Sequence, residues 1–179
     1  MNPNTIVITG TGAVSAIGET LAETWNSLLN RTCGIQKISS FDASAFPCQI
    51  AAEVVQFDLE RVGNAYQRKR FAKTSMLAIA AAEEALLQSG ILHSSLPADR
   101  IGVFWSSGNG GIRTADAGMI EFAKHPDRKA FSPFFQSNVL IDTAGARIAQ
   151  KFYLRGPNLT TVSACASGNT ALQTAMAYL

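Results

Sequence analysis

The chain has 179 residues, 47% of them hydrophobic and 16% charged, with a formal net charge of +2 at pH 7. That length supports one sizeable core, and the near-balanced charge gives no general electrostatic case for nucleic acid or an anionic membrane surface. Three cysteines at wide, irregular spacing with no CxxC pair argue against a disulfide framework or a zinc site and imply a reducing compartment.

No basic stretch precedes the first apolar run, Ile6-Val7-Ile8, which is too short for a signal or a membrane span, so a cytoplasmic protein is expected. Thr5 to Thr9 is β-branched and reads as a buried strand entering a tight loop at Gly10-Thr11-Gly12. Glu19 to Asn30 follows as a helix, with Leu21, Ala22, Trp25, Leu28 and Leu29 at helical spacing and Gly34 just beyond its end. Ser39 to Phe46 is turn-like, and Gln49 to Phe57 alternates as a strand does.

Arg70 to Ser89 is the strongest helix, closed by Gly90. Its small face of Ala78, Ala81, Ala82 and Ala85 suits close approach by another element of the core. Ile101 to Trp105 reads as a buried strand running into the glycine-rich loop Ser106 to Gly111, Asp142 to Phe152 as a helix, and Gly156-Pro157 as a break. Leu159 to Val162 then forms a strand and Thr170 to Leu179 a helix that is still apolar where the sequence stops. Strands separated by helices predict an α/β layered fold with a largely parallel central sheet, in one domain over residues 1–179.

Cys165 is the leading candidate for chemistry. It lies in Val162-Ser163-Ala164-Cys165-Ala166-Ser167-Gly168, where a strand gives way to a helix. Free N–H groups and the helix dipole there favour thiolate, and the small neighbours let a ligand approach. A cysteine without a base or an oxyanion site leaves a catalytic and a structural role equally open. Cys33 and Cys48 read as small buried hydrophobes. Gly10-Thr11-Gly12-Ala13-Val14-Ser15 lacks the third glycine of a dinucleotide fingerprint, and the Gly108 to Gly111 run lacks the Lys-Ser/Thr of a P-loop, so the first reads as a structural turn and the second as a pocket-lining loop. His93 and His125 read as exposed loop residues, and Arg68-Lys69-Arg70 and Arg128-Lys129 as surface clusters able to meet an acidic partner.

Six segments together carry a resemblance. They are Ile8 to Ser15, Gln67-Arg68-Lys69, Ser107-Gly108 to Gly110-Gly111, Ser132-Pro133-Phe134-Phe135, Arg155-Gly156-Pro157-Asn158 and Ser163 to Gly168. In this order and spacing the chain resembles, from end to end, the N-terminal half of the elongating β-ketoacyl-acyl-carrier-protein synthases of the thiolase fold. The resemblance implies that Cys165 accepts an acyl chain from a carrier-protein thioester, with its own N–H as one oxyanion donor. A decarboxylated malonyl-carrier thioester then attacks that acyl group. It places two supporting histidines and the second oxyanion donor in the family's C-terminal half, which these residues do not include, so the domain is expected to stop within the nucleophile-bearing helix and to be inactive in condensation alone.

The resemblance further sets Asn109, Phe134 and Ala164 at the acyl pocket. Asn109 stands where an apolar gating residue is common, which admits a polyketide or polyene substrate as readily as a fatty acyl one. Arg68, Lys69, Arg128 and Lys129 fall where such enzymes meet acyl carrier protein, and the strand ending at Val162 near the dimer axis, in a homodimer or with a ketosynthase-like partner. No cofactor or metal is implied. Two other classes compete: a non-catalytic carrier-binding or dimerising module, and a cysteine hydrolase, which needs His93 or His125 beside the sulfur.

Overall fold

The structure, a computed structural model, describes residues 5–126 and 131–179. Helix α1 (Leu21–Leu29) is followed by strands β1 (Ile35–Lys37) and β2 (Ile50–Ala52), the short α2 (Ala65–Arg68) and the long α3 (Lys73–Ser89). Strand β3 (Val103–Ser106), helices α4 (Ile112–Lys124), α5 (Phe135–Val139) and α6 (Thr143–Phe152), strand β4 (Asn158–Thr161) and α7 (Ser167–Ala177) complete the order. No described helix is long and apolar enough to cross a membrane.

The parallel sheet is a single pair. β3 and β4 run side by side with Val103 opposite Asn158 and Ser106 opposite Thr161, while β1 and β2 form a separate antiparallel pair. Successive β3 residues point to opposite faces. Trp105 meets α6, where Gly145 leaves room for its Cβ and the indole N–H donates to the Ile141 carbonyl at 2.9 Å. Phe104 meets α7, its ring 5.2 Å from that of Tyr178. Helix, strands and helix therefore stack in layers, and α3 lies along α6. The core gathers there: Val62, Ala78, Ile79, Val103, Ala144 and Ile148 are buried together.

α3 forms as its composition predicts and ends at Gly90, which takes φ 67. Its small face is used. A Cβ on Gly12 would stand 2.1 Å from the Ala81 carbonyl oxygen, and one on Gly10 2.1 Å from that of Ala85, so the N-terminal segment lies against the helix backbone. Neither glycine takes a left-handed φ, so their role is close approach rather than a tight turn. Two α3 side chains hold the segment: Glu84 accepts from the Ala13 N–H at 3.0 Å and the Leu21 N–H at 2.9 Å, and Gln88 Oε1 accepts from the Thr11 N–H at 2.6 Å. Behind them Glu83 pairs with Lys151 of α6 at 2.9 Å and with Arg61 at 3.6 Å.

Several expectations are corrected. Thr5 to Thr9 is no strand: it is exposed and outside any ladder, because its contacts are made to α3 by the glycines that follow. The 49–57 strand shrinks to β2. α1 buries none of its apolar side chains, and its end is made by Arg31 at φ 57, whereas Gly34 is needed because a Cβ would press on Ile17 at 2.7 Å. Cys33 and Cys48 are exposed, flanking the β1–β2 pair with their sulfurs near the carbonyls of Ile35 and Ile50. α4 had no sequence assignment. It exists because Gly118 leaves space for the Phe135 ring, and Phe131 packs between Phe135 and Phe122.

Candidate active site

The parallel register brings two loops to one edge. β3 ends at Ser106 and leads to Asn109; β4 ends directly opposite, at Thr161, and leads to Cys165. Both loops leave the carboxyl ends of parallel strands, the edge at which layered α/β folds carry ligands.

Cys165 is exposed, in the middle of a 3₁₀ turn from Ala164 to Ala166 that runs directly into α7. Ala164 holds φ 49, a left-handed conformation that a side-chain-bearing residue adopts only against a steric penalty. The surroundings enforce it. Ser167, almost fully buried, accepts from the Ser163 N–H at 2.9 Å and donates to the Ala164 carbonyl at 2.7 Å, bracing both sides of the turn. Ser163 and Thr170 hydroxyls meet at 2.7 Å on the next turn of α7. Among the described residues neither the Cys165 sulfur nor its backbone N–H makes a hydrogen bond, so a thiol and an N–H donor both stand free on one residue.

Ser167 is the residue that sequence reasoning undervalued. It read only as small, yet a hydroxyl two residues after a candidate nucleophile, at the start of a helix, can satisfy the turn's backbone.

The other candidates separate. Asn109 is exposed on the loop, its carbonyl accepting from the Ile112 N–H at 3.2 Å as α4 begins. The loop is anchored by Gly110 at φ 52 and by Gly111, which sits against the Asn138 carbonyl of α5. Phe134 starts α5 but turns its ring to Arg70, whose guanidinium lies 4.3 Å from the ring centroid, so the structure groups it with the basic segment after α2. Arg68 is half-buried in α2 and Lys69 exposed at its end, after a capping box between Asn64 and Gln67. Arg128 and Lys129 lie outside the described residues. His93 is exposed after α3, and His125 lies 3.9 Å from Glu121, so neither imidazole is bonded to Cys165.

A cleft of about 700 Å³ opens elsewhere, between β2, α3, α4 and α5, with Phe71 and Phe135 on its walls and Lys73, Arg113, Glu53 and Glu121 around it. Cys165 does not line it. Hydrogen bonds from the Ser40 hydroxyl and then the Ser39 N–H hold the Glu53 carboxyl down to about 2. Among the described residues no cluster of histidine, cysteine and carboxylate could hold a metal ion.

Residues 3–179 match the family model for the beta-ketoacyl synthase N-terminal domain. A 3-oxoacyl-[acyl-carrier-protein] synthase 2 of Coxiella burnetii is 35% identical over 168 residues, covering 94% of this chain and 40% of its own length. The enzyme of the same name from Synechocystis is 34% identical, covering 93% and 40%. The chain thus spans about 40% of the curated relatives it matches. Among solved structures, a beta-ketoacyl synthase from Burkholderia phymatum superposes with a TM-score of 0.79 at 24% identity, over 96% of this chain and 42% of that one. The ishigamide ketosynthase/chain length factor follows at 0.76 and 23%, over 96% and 44%. At these identities the structural likeness is one of fold, and the fold is thiolase-like.

Proposed function

Because this chain belongs to the beta-ketoacyl synthase family, as its N-terminal domain, we propose that it supplies the acyl-accepting half of a decarboxylative condensation in fatty-acid or polyketide synthesis. The observation that carries the reading is the exposed Cys165 on a braced, left-handed turn at the carboxyl edge of a parallel strand pair. Attack by the Cys165 thiolate on an acyl thioester forms a tetrahedral oxyanion, towards which the free Cys165 N–H can donate. Collapse expels the carrier's thiolate and leaves an acyl-cysteine.

The second half-reaction needs groups to receive the malonyl carboxylate and to polarise its thioester. Neither His93 nor His125 is hydrogen-bonded to Cys165, which supports assigning condensation to the polypeptide in which this domain meets the rest of the family's fold. The relatives carry acyl carrier protein in their name, which supports an acyl-carrier partner. Arg68 and Lys69 of the α2 segment, with Arg128 and Lys129, are the cations proposed to meet it, and the edge of β4 not paired to β3 is proposed to face a second ketosynthase-like chain. Asn109, on the loop that follows β3, is proposed to make the far end of the acyl pocket more polar than an apolar gate does.

The test is acylation followed by intact mass. Incubated with an acyl thioester, the chain should gain one acyl group, mapped to Cys165 and missing from Cys165→Ser. A sample with native helical circular dichroism that gains no adduct, or gains it on Cys33 or Cys48, would refute the assignment.

A further inference from the structure

A recess of about 310 Å³ between the α2 segment and α6 contains two guanidinium groups and, among the described residues, no carboxylate. Arg70 enters from one side. Its Cζ lies 3.4 Å from the Tyr66 ring centroid and 4.3 Å from that of Phe134, so the planar group is clamped between two aromatic rings with its N–H edge free. Arg147 enters from α6, its Cζ 4.7 Å from the Phe71 ring. It donates one N–H to Gln150 at 3.1 Å, while its Nε is buried with no partner.

The remaining polar lining is also rich in donors. The Gln67 Oε1 is already used by the Asn64 N–H, which leaves the Gln67 amide NH₂ to face a ligand. Neither arginine forms an ion pair with a described residue, whereas Arg61 and Lys151 nearby both pair with Glu83. Two guanidiniums held against aromatic faces with no ion pair among the described residues, the buried Arg147 Nε–H without an acceptor and the Gln67 NH₂ form a concave set rich in donors, its amide oxygens being already engaged. Such a set suits an oxyanion, because each guanidinium fork can give two parallel N–H bonds to its oxygens.

We infer that this recess is an anion site for a phosphate-type dianion, either inorganic phosphate or a phosphate monoester. The charge favours a dianion: two half-buried arginines with no ion pair among the described residues match its two negative charges, and a single carboxylate matches only one of them. Cys165 takes no part in the site, so this assignment and the acyl-transfer reading can fail separately.

The probe is inorganic phosphate, titrated calorimetrically at fixed ionic strength, with glucose 6-phosphate and acetate as parallel arms. Phosphate should bind saturably and acetate much more weakly. Loss of a charge-assisted fork in Arg70→Gln should weaken phosphate about tenfold or more. Arg147→Lys keeps the charge but loses the fork, and should weaken it in the same direction. Lys124→Gln, an exposed cation at the end of α4 and outside the recess, should change it little. Glucose 6-phosphate binding tighter than phosphate identifies a monoester as the occupant, and weaker binding identifies the free ion. Absence of saturable phosphate binding, equal binding of acetate, or an equal loss in Lys124→Gln would each overturn the proposal, the last by showing diffuse surface charge. Should Arg147→Lys lose its native circular dichroism, the comparison of Arg70→Gln with Lys124→Gln decides alone.

Discussion

Tyr153, 78% exposed, ends α6 at φ 56, in the left-handed position where helices most often place glycine. Among the described residues its side chain makes no hydrogen bond that would offset the steric penalty. Tyr153→Gly is therefore expected to stabilise the fold by about 1 kcal/mol, the relief of a left-handed L-residue less the extra unfolded-state entropy of glycine. An unchanged or lowered denaturation midpoint would contradict this. Ala164 has nearly the same backbone angle, at φ 49, but stands beside Cys165 and is held by Ser167 from both sides. One strained residue closes a helix and the other adjoins the cysteine proposed to accept the acyl group. Cys165 was legible in the sequence because small residues surround it at a strand-to-helix junction. The strain at Ala164 was not, since nothing in an alanine announces a positive φ, and Cys33 and Cys48 were misread because apolar character alone does not bury a residue on a two-stranded hairpin.

The packing of the N-terminal segment on α3 rests on absent atoms. Gly12→Val would drive a branched side chain into the Ala81 carbonyl and the Glu84 Cβ, 2.9 Å from the added Cβ. Overpacking of this kind costs about 1–3 kcal/mol, and urea unfolding should show that loss. Gly168 provides the contrast, because a Cβ there meets nothing within 4 Å inside α7. Gly168→Ala should raise stability by about 0.5–1 kcal/mol. Helices with a continuous small or apolar pattern, α3 and α6, were legible almost to their ends. α4 was not, because its one internal contact face depends on Gly118 receiving the Phe135 ring, a relation between residues far apart in the chain. The first strand failed for a related reason: β-branched residues state a preference for extended backbone without supplying a neighbour to pair with.

The accessible surface is 12228 Å² for a mass of 19.1 kDa. A compact monomer of that mass exposes roughly 8,400 Å². Much of the surplus is apolar: Ile6, Val7 and Ile8 at one end, Trp25, Leu28 and Leu29 on α1, Ile112, Met119 and Ile120 on α4, and Leu172, Met176 and Tyr178 on α7 are all exposed. A surface of this kind is normally covered. The purified chain should therefore bind 8-anilinonaphthalene-1-sulfonate strongly while keeping its helical circular dichroism, and should self-associate in sedimentation velocity. A dye-silent monomer would show that these side chains find cover within the chain. The layered fold was legible from alternating elements, but the extent of uncovered surface was not, since composition counts apolar residues without saying which of them find a neighbour. Against so sparse a core, the carboxylate of Glu84 matters for a reason besides packing. It is the shared acceptor for Ala13 and for the first amide of α1, so the loop around Ala13 and helix α1 are tied to one group and should open and close as a single cooperative unit hinged on one side chain of α3.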